Sequence, residues 1–295
     1  MKCPVCLSRM DSEGFHALSE HFVVAGISGE GEHVMWLNRY VGRDRIPANM
    51  LSERLSVMYD TSGDLKGWIV RRLVERIYTT PPHPFIKRMQ HPDRSTIYGY
   101  VLEHHHFLMQ WVKSCAAIMS KTDEEDVQLY EIDNIISEFR GLSPSRPSHH
   151  ELLLRMGESI GITRSVVYST EPLQTTARCL NWWQRIASEC HWLETMAAMH
   201  TLELTANPNI RKMGSDLTYF DPAILENDSY PEAVRNFLRE GYVADASHSM
   251  DALDLIEKHC TPELEKDVQS VVYRTVSLLD DYLMSRLKRS ESYGN

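Results

Sequence analysis

Residues 240–252 read EGYVADASHSMDA, and the fold turns on how Asp245 and His248 in this stretch are understood. Three residues apart on a helix, their side chains share one face. The neighbours Val243, Ala244, Ala246 and Ala252 are small and apolar, as befits a helix packed closely on others. A carboxylate buried in such company needs a partner, and a metal ion is one. The plainer alternative is an ion pair on a solvated helix face. Which of the two holds depends on whether acids and histidines elsewhere in the chain can reach the same point.

The rest of the chain favours an all-α fold. Its 295 residues, 42% of them hydrophobic, suit one large domain with a substantial core. Apolar residues recur at three- and four-residue spacing and predict helices over 48–59, 64–78, 95–120, 123–140, 149–160, 171–204, 231–258 and 262–289. Proline-containing breaks near 79–85, 141–148, 206–209 and 215–222 separate them. The expected architecture is a helical bundle over residues 41–295 behind a small unit at 1–40. A net charge of −10 argues against nucleic acid or an anionic membrane as partner. No apolar run approaches the ~20 residues of a membrane span, and MKCPVCLSRM lacks the core of a signal peptide. A cytoplasmic location is therefore expected, with the six cysteines as reduced thiols or metal ligands.

Cys3 and Cys6 form a Cys-x2-Cys knuckle, the spacing that offers two thiolates to one tetrahedral zinc. Phe15, Leu18 and His21 look like the core and first histidine of a small finger, and His33 or His16 would complete the set. The spacing is not that of a DNA-reading finger. Such a closed site stabilises its segment rather than catalyses.

Acids and histidines also recur in the bundle segments. Glu103 and His106 lie in EHHHFLMQW, Glu138 in DNIISEFRG and His149 in SHHELLLRM. Glu203 lies in LELTANP, just before a proline, and Asp245 and His248 complete the inventory. Taken singly, each is more often a solvated helix residue than a ligand. Together they are what a di-metal carboxylate site requires: anionic oxygens offset and bridge the metals, and neutral imidazoles hold the geometry.

In order and spacing these elements resemble the heme-oxygenase-like di-metal oxidases, the non-heme diiron branch of the heme oxygenase/TenA-like fold. DNIISEFRGLSPSRPSHHELLLRMGESIGI is similar to that family's Glu-then-His element, giving Glu138 and His149; LELTANP gives Glu203; GYVADASHSMDAL gives Asp245 and His248. The resemblance covers roughly residues 95–260. It departs at Gly241, where the family has the first histidine of the late-helix motif. Either the second ion binds weakly, or Glu103 or His106 substitutes, or the site is mononuclear. The resemblance implies Fe(II), one or two per chain, dioxygen, and oxidation of a small amino-acid-derived substrate by N-oxygenation or C–C cleavage in natural-product biosynthesis. A homodimer is compatible with it. The CPVC-bearing front end is similar, more distantly, to oxidases of the fluopsin C type, which implies a cysteine-derived substrate.

Other residues are weighed against their structural roles. Cys190 and His191 are adjacent, but neighbours on a helix point about 100° apart, so a packed cysteine is the better reading than a thiol nucleophile. Trp182 and Trp183 read as core, His200 as a donor behind Glu203, and Tyr98, Tyr100 and Tyr242 as candidate hydrogen-bond donors. The rival functions are a metal-free TenA-like hydrolase using a cysteine and a non-catalytic zinc-containing interaction protein. A ferritin-like bundle is the rival fold, but it needs a second Glu-x2-His that the chain lacks.

Overall fold

The structure, a computed structural model, describes residues 1–10, 14–79, 81–143 and 146–294, with the backbone alone over 243–248. The front end carries two helices that the hydrophobic period does not predict, α1 (Phe15–Ile27) and α2 (Gly31–Tyr40). Phe22 stacks on Trp36 across this helical hairpin, ring centroids 5.0 Å apart. The bundle follows with α3 (Ala48–Met58), α4 (Leu65–Ile77), α5 (Pro84–Met89), α6 (Arg94–Lys121) and α7 (Glu125–Ile135). It continues with α8 (His149–Ser159), α9 (Arg164–Ser169), α10 (Gln174–Glu189), α11 (Trp192–Glu203), α12 (Glu232–His259) and α13 (Pro262–Ser290). No strand occurs among the described residues, only the isolated bridges Lys2–Arg9 and Ser143–Arg146. The all-α expectation holds. No described helix is long and apolar enough to cross a membrane.

One expected helix is two. The run 171–204 breaks at Cys190, and His191 opens α11. The His191 ring nitrogen accepts from the Leu193 N–H, while the Glu194 carboxylate accepts from the His191 N–H at 3.0 Å. Such a reciprocal cap satisfies donors left free at a helix start. Lys121 closes the preceding end by donating to the carbonyls of Ala187 and Cys190, at 2.6 and 3.0 Å.

At the centre, α13 is buried along most of its length and packs on α6, α11, α10 and α4. Where α6 meets it, a Cβ on Gly99 would lie 2.1 Å from the Arg286 carbonyl oxygen, so only glycine permits this approach. The front end docks on the same helix. Arg39 pairs with Asp281 at 2.6 Å, and Arg274 with Glu32 at 2.6 Å. The Tyr40 hydroxyl donates to the Tyr273 carbonyl, and Trp36 meets the Tyr273 ring edge-on at 5.6 Å. Trp36 is 1% exposed, a burial whose loss costs about 3–5 kcal/mol. Front end and bundle thus share one hydrophobic core.

Candidate functional site

A cavity with about 760 Å³ of atom-free space, its mouth included, opens between α6, α8, α11, α12 and α13. Its walls are aromatic and aliphatic, among them Tyr100, Phe107, Trp111, Phe237 and Tyr242. Into it come Glu138, His149 and Glu203, with Gly241 at the wall. Local sequence explains each placement. The α7 helix runs on into a π-helical turn (Ile136–Arg140), which carries Glu138 and stops at Gly141. Such turns widen a helix and redirect a side chain, and they concentrate at functional sites. Ser148 then caps α8, its hydroxyl accepting from the Glu151 N–H at 3.1 Å, so that His149 is the first helical residue. Glu203 is the last residue of α11, before a 3₁₀ turn leads to Asn207 and Pro208.

The His149 Nδ1 lies 3.2 Å from Glu138 Oε1. Burial opposes a charge on this imidazole, but the Glu138 carboxylate outweighs it and raises the histidine above its ordinary pKa. The second donor atom of each, His149 Nε2 and Glu138 Oε2, is closed to solvent and has no partner among the described residues. Behind them, Glu203 Oε2 lies 2.9 Å from His200 Nδ1, and His200 Nε2 lies 2.8 Å from Glu131 Oε1. Burial disfavours the charge on His200, yet the two carboxylates prevail and hold it up at about 10. His104 faces the same cavity. Burial, aided by the Arg286 charge, holds it well below the usual histidine range and so neutral. Because Arg286 Nη2 donates to Nδ1 at 2.9 Å, the His104 proton sits on Nε2.

A second cluster forms at the front end. Cys3 Sγ lies 3.6 Å from His33 Nε2, Cys6 Sγ 3.4 Å from His21 Nε2, and the two Nε2 atoms are 3.1 Å apart. A hydrogen bond from Cys3 lowers the Cys6 thiol to about 3. These donors converge within 4.8 Å of one another, as a tetrahedral zinc requires. His33 therefore completes the set. The competing His16 is exposed and lies 3.4 Å from Glu20. Among the described residues, one other group converges as closely, Glu124, Asp126 and His259. It is partly exposed, and Lys258 already neutralises Asp126 at 2.7 Å.

Residues 70–289 match the sequence model of the TENA/THI-4/PQQC family. The chain belongs to that family. Its fold serves both oxygenases and TenA hydrolases. Residues 2–60 match a C2H2-type zinc finger, in one copy, consistent with the Cys/His cluster as a structural zinc site. No curated protein matches the chain in sequence. Among solved structures, a TenA homolog from Pseudomonas syringae pv. tomato str. DC3000 is similar at TM-score 0.56 and 15% identity, over 80% of this chain and 92% of that one. A domain of unknown function with a heme oxygenase-like fold, from Shewanella denitrificans OS217, gives 0.55 and 15% over 84% and 95%. A CADD-like protein of unknown function from Nostoc punctiforme PCC 73102 gives 0.54 and 15% over 80% and 99%. At these identities the likeness establishes the heme-oxygenase-like fold.

Within this fold, two expected ligands point elsewhere. Glu103 is fully buried outside the cavity, where Arg289 Nε donates to Oε1 at 2.7 Å and Thr176 and Leu173 donate to Oε2. His106 packs edge-on against His105, also outside. The cavity face of α6 is the set Tyr100, His104, Phe107, Leu108 and Trp111, about 100° round from Glu103. Asp245 and His248 lie outside the described side chains, although Gly241 and Tyr242 on the preceding turn line the cavity. Trp182 and Trp183 are core, as expected, and Tyr98 does not reach the cavity while Tyr100 does. None of the six cysteines lines it, and burial pushes the Cys190 thiol up to about 11.

Proposed function

We propose that the cavity is the metal site of a non-heme iron, dioxygen-dependent oxidase or oxygenase, with a structural zinc at Cys3, Cys6, His21 and His33. The observation that carries this reading is the pair of solvent-closed atoms His149 Nε2 and Glu138 Oε2, unpartnered among the described residues, in a cavity shared with Glu203. Buried polar atoms are nearly always satisfied, and a cation would satisfy both of these. The candidate ligands are Glu138, His149 and Glu203, joined by Asp245 and His248 from α12. Bound ferrous iron supplies redox chemistry with dioxygen.

The chain's own residues do the rest. His200, held between Glu131 and Glu203, orients the Glu203 carboxylate. The aromatic walls exclude water, and neutral His104 can present its Nε2–H to a bound group. Gly241 leaves its position without a ligand and so leaves room for substrate. A small amino-acid-derived substrate, cysteine-derived in the more specific form of the proposal, would undergo N-oxygenation or C–C cleavage there. The cysteine hydrolase is disfavoured because no thiol reaches the cavity.

The test is metal content after anaerobic ferrous loading and desalting, on the wild type and on His149→Ala and His248→Ala. Near one zinc plus one or two irons per chain, with iron alone lost in the variants, supports the oxidase and counts its metals. Zinc alone, unchanged by either substitution, sinks it.

A further inference from the structure

Arg286 lines the cavity, only 3% exposed, with no acidic partner among the described residues. Its charge rests on rings and hydroxyls instead. The guanidinium carbon sits 4.2 Å from the Tyr100 ring centroid, 4.6 Å from Tyr282 and 5.2 Å from Phe85. Nη1 donates to the Tyr219 hydroxyl, and Nη2 donates to the Tyr282 hydroxyl and to His104 Nδ1, each at 2.9 Å in the Nη2 case. That leaves donors unspent, and Nε is buried with no partner among the described residues. The other buried arginine, Arg274, reaches the Glu32 carboxylate at 2.6 Å.

A buried cation without a counter-charge is costly unless something supplies one. Ring faces offset part of that cost. They leave the net charge in place, in a cavity that Glu138, His149 and Glu203 also line. We infer that Arg286 is the anchor for the carboxylate of an anionic substrate, whose apolar part lies against the aromatic walls and whose far end faces Glu138, His149 and Glu203. Tyr219, Tyr282 and His104 are its positioning residues: they fix the plane of the guanidinium. The inference rests on reading the cavity as a substrate site, and it stands whether or not iron binds there.

The test uses the full zinc-bound chain purified without iron, so that no carboxylate can ligate iron. The probes are 3-phenylpropanoate, its neutral amide and 3-phenylpropylamine, titrated by calorimetry and followed by tryptophan fluorescence, since Trp111 lines the cavity. The expected result is at least about tenfold tighter binding of the carboxylate than of amide or amine. In Arg286→Gln that preference disappears while amide affinity holds. Should Arg286→Gln fail to fold, Arg286→Lys takes its place: the ammonium cannot reproduce the planar set of bonds, and carboxylate affinity falls at least about threefold with the amide unchanged. Three results would each overturn the assignment. These are no carboxylate preference in the wild type, whether all probes bind or none does; a preference that survives Arg286→Gln; or, with Lys as the variant, an unchanged carboxylate affinity. Failure of ferrous loading, measured separately, bears on the oxidase reading alone.

Discussion

Glu138 and His149 face each other across a chain reversal, Oε1 and Nδ1 3.2 Å apart, each with its other donor atom buried and unpartnered among the described residues. They lie eleven positions apart in sequence, and two local devices join them. The π-helical turn after α7 swings Glu138 inward, and the Ser148 cap makes His149 the first residue of α8. The pair is therefore as rigid as the reversal that holds it.

That rigidity depends on Gly141. Its φ of +75° lies in the left-handed region, and an added Cβ would come within 2.6 Å of the Ser148 nitrogen. Gly141→Ala should cost about 2–3 kcal/mol, from the disfavoured backbone and the displaced cap together. Differential scanning calorimetry should find Tm lower by about 3–5 °C, and iron retention after ferrous loading should fall with it. An unchanged Tm would mean that the reversal is not what positions the pair.

The zinc cluster predicts a separable effect. Cys6→Ser removes one of four converging ligands, so bound zinc should be lost while the iron-loading capacity of the cavity persists. Tm should drop by at least about 5 °C, because the front end shares its core with α13. Loss of iron together with zinc would show that the front end also shapes the cavity.

Much of this was legible in the sequence, and the exceptions have physical causes. The zinc set could be read because Cys-x2-Cys restricts its own geometry, leaving only the last histidine to choose. Glu138, His149 and Glu203 were legible because each sits at a helix end marked by Gly141, Ser148 or Pro208. His104 was missed because three consecutive histidines occupy three faces of one helix, and the sequence does not say which face looks inward. Glu103 looked like a ligand until Arg289, 186 residues away, took its charge. Arg286 was invisible for the same reason: what distinguishes it is the lack of an acid nearby in space. The α10–α11 break was written in His191 and Glu194, but a histidine cap is an uncommon start signal.

His200 is a further point of failure. It is 0% exposed between the carboxylates of Glu131 and Glu203. His200→Ala leaves two buried acids with no cation between them and should destabilise the chain by about 3–5 kcal/mol. Glu131→Gln keeps an acceptor for Nε2 and should cost less than half as much. Urea unfolding of the three proteins checks the order. Equal losses in both variants would show that packing, rather than the charge triad, dominates this site.

A last prediction concerns acid stability at the start of α6. Asp93 caps the long α6 helix: Oδ1 accepts from the Thr96 N–H at 2.8 Å and from the Thr96 and Ser95 hydroxyls at 2.7 Å. Partial burial pushes its pKa up, but these bonds and nearby Arg88 outweigh it and hold the carboxyl at about 2, below the ordinary 3.8. A depressed folded-state pKa contributes stability that is complete above the unfolded value and is lost as pH falls through the folded one. The side chain is more than half exposed, so screening keeps the charge contribution modest. Asp93→Ala should cost about 1 kcal/mol at neutral pH, chiefly as a lost cap. The gap in Tm between wild type and variant should then narrow as pH drops from about 4 to 2. A gap that stays constant across that range would mean the hydroxyl and amide bonds survive protonation, and that the carboxylate charge adds nothing to the cap.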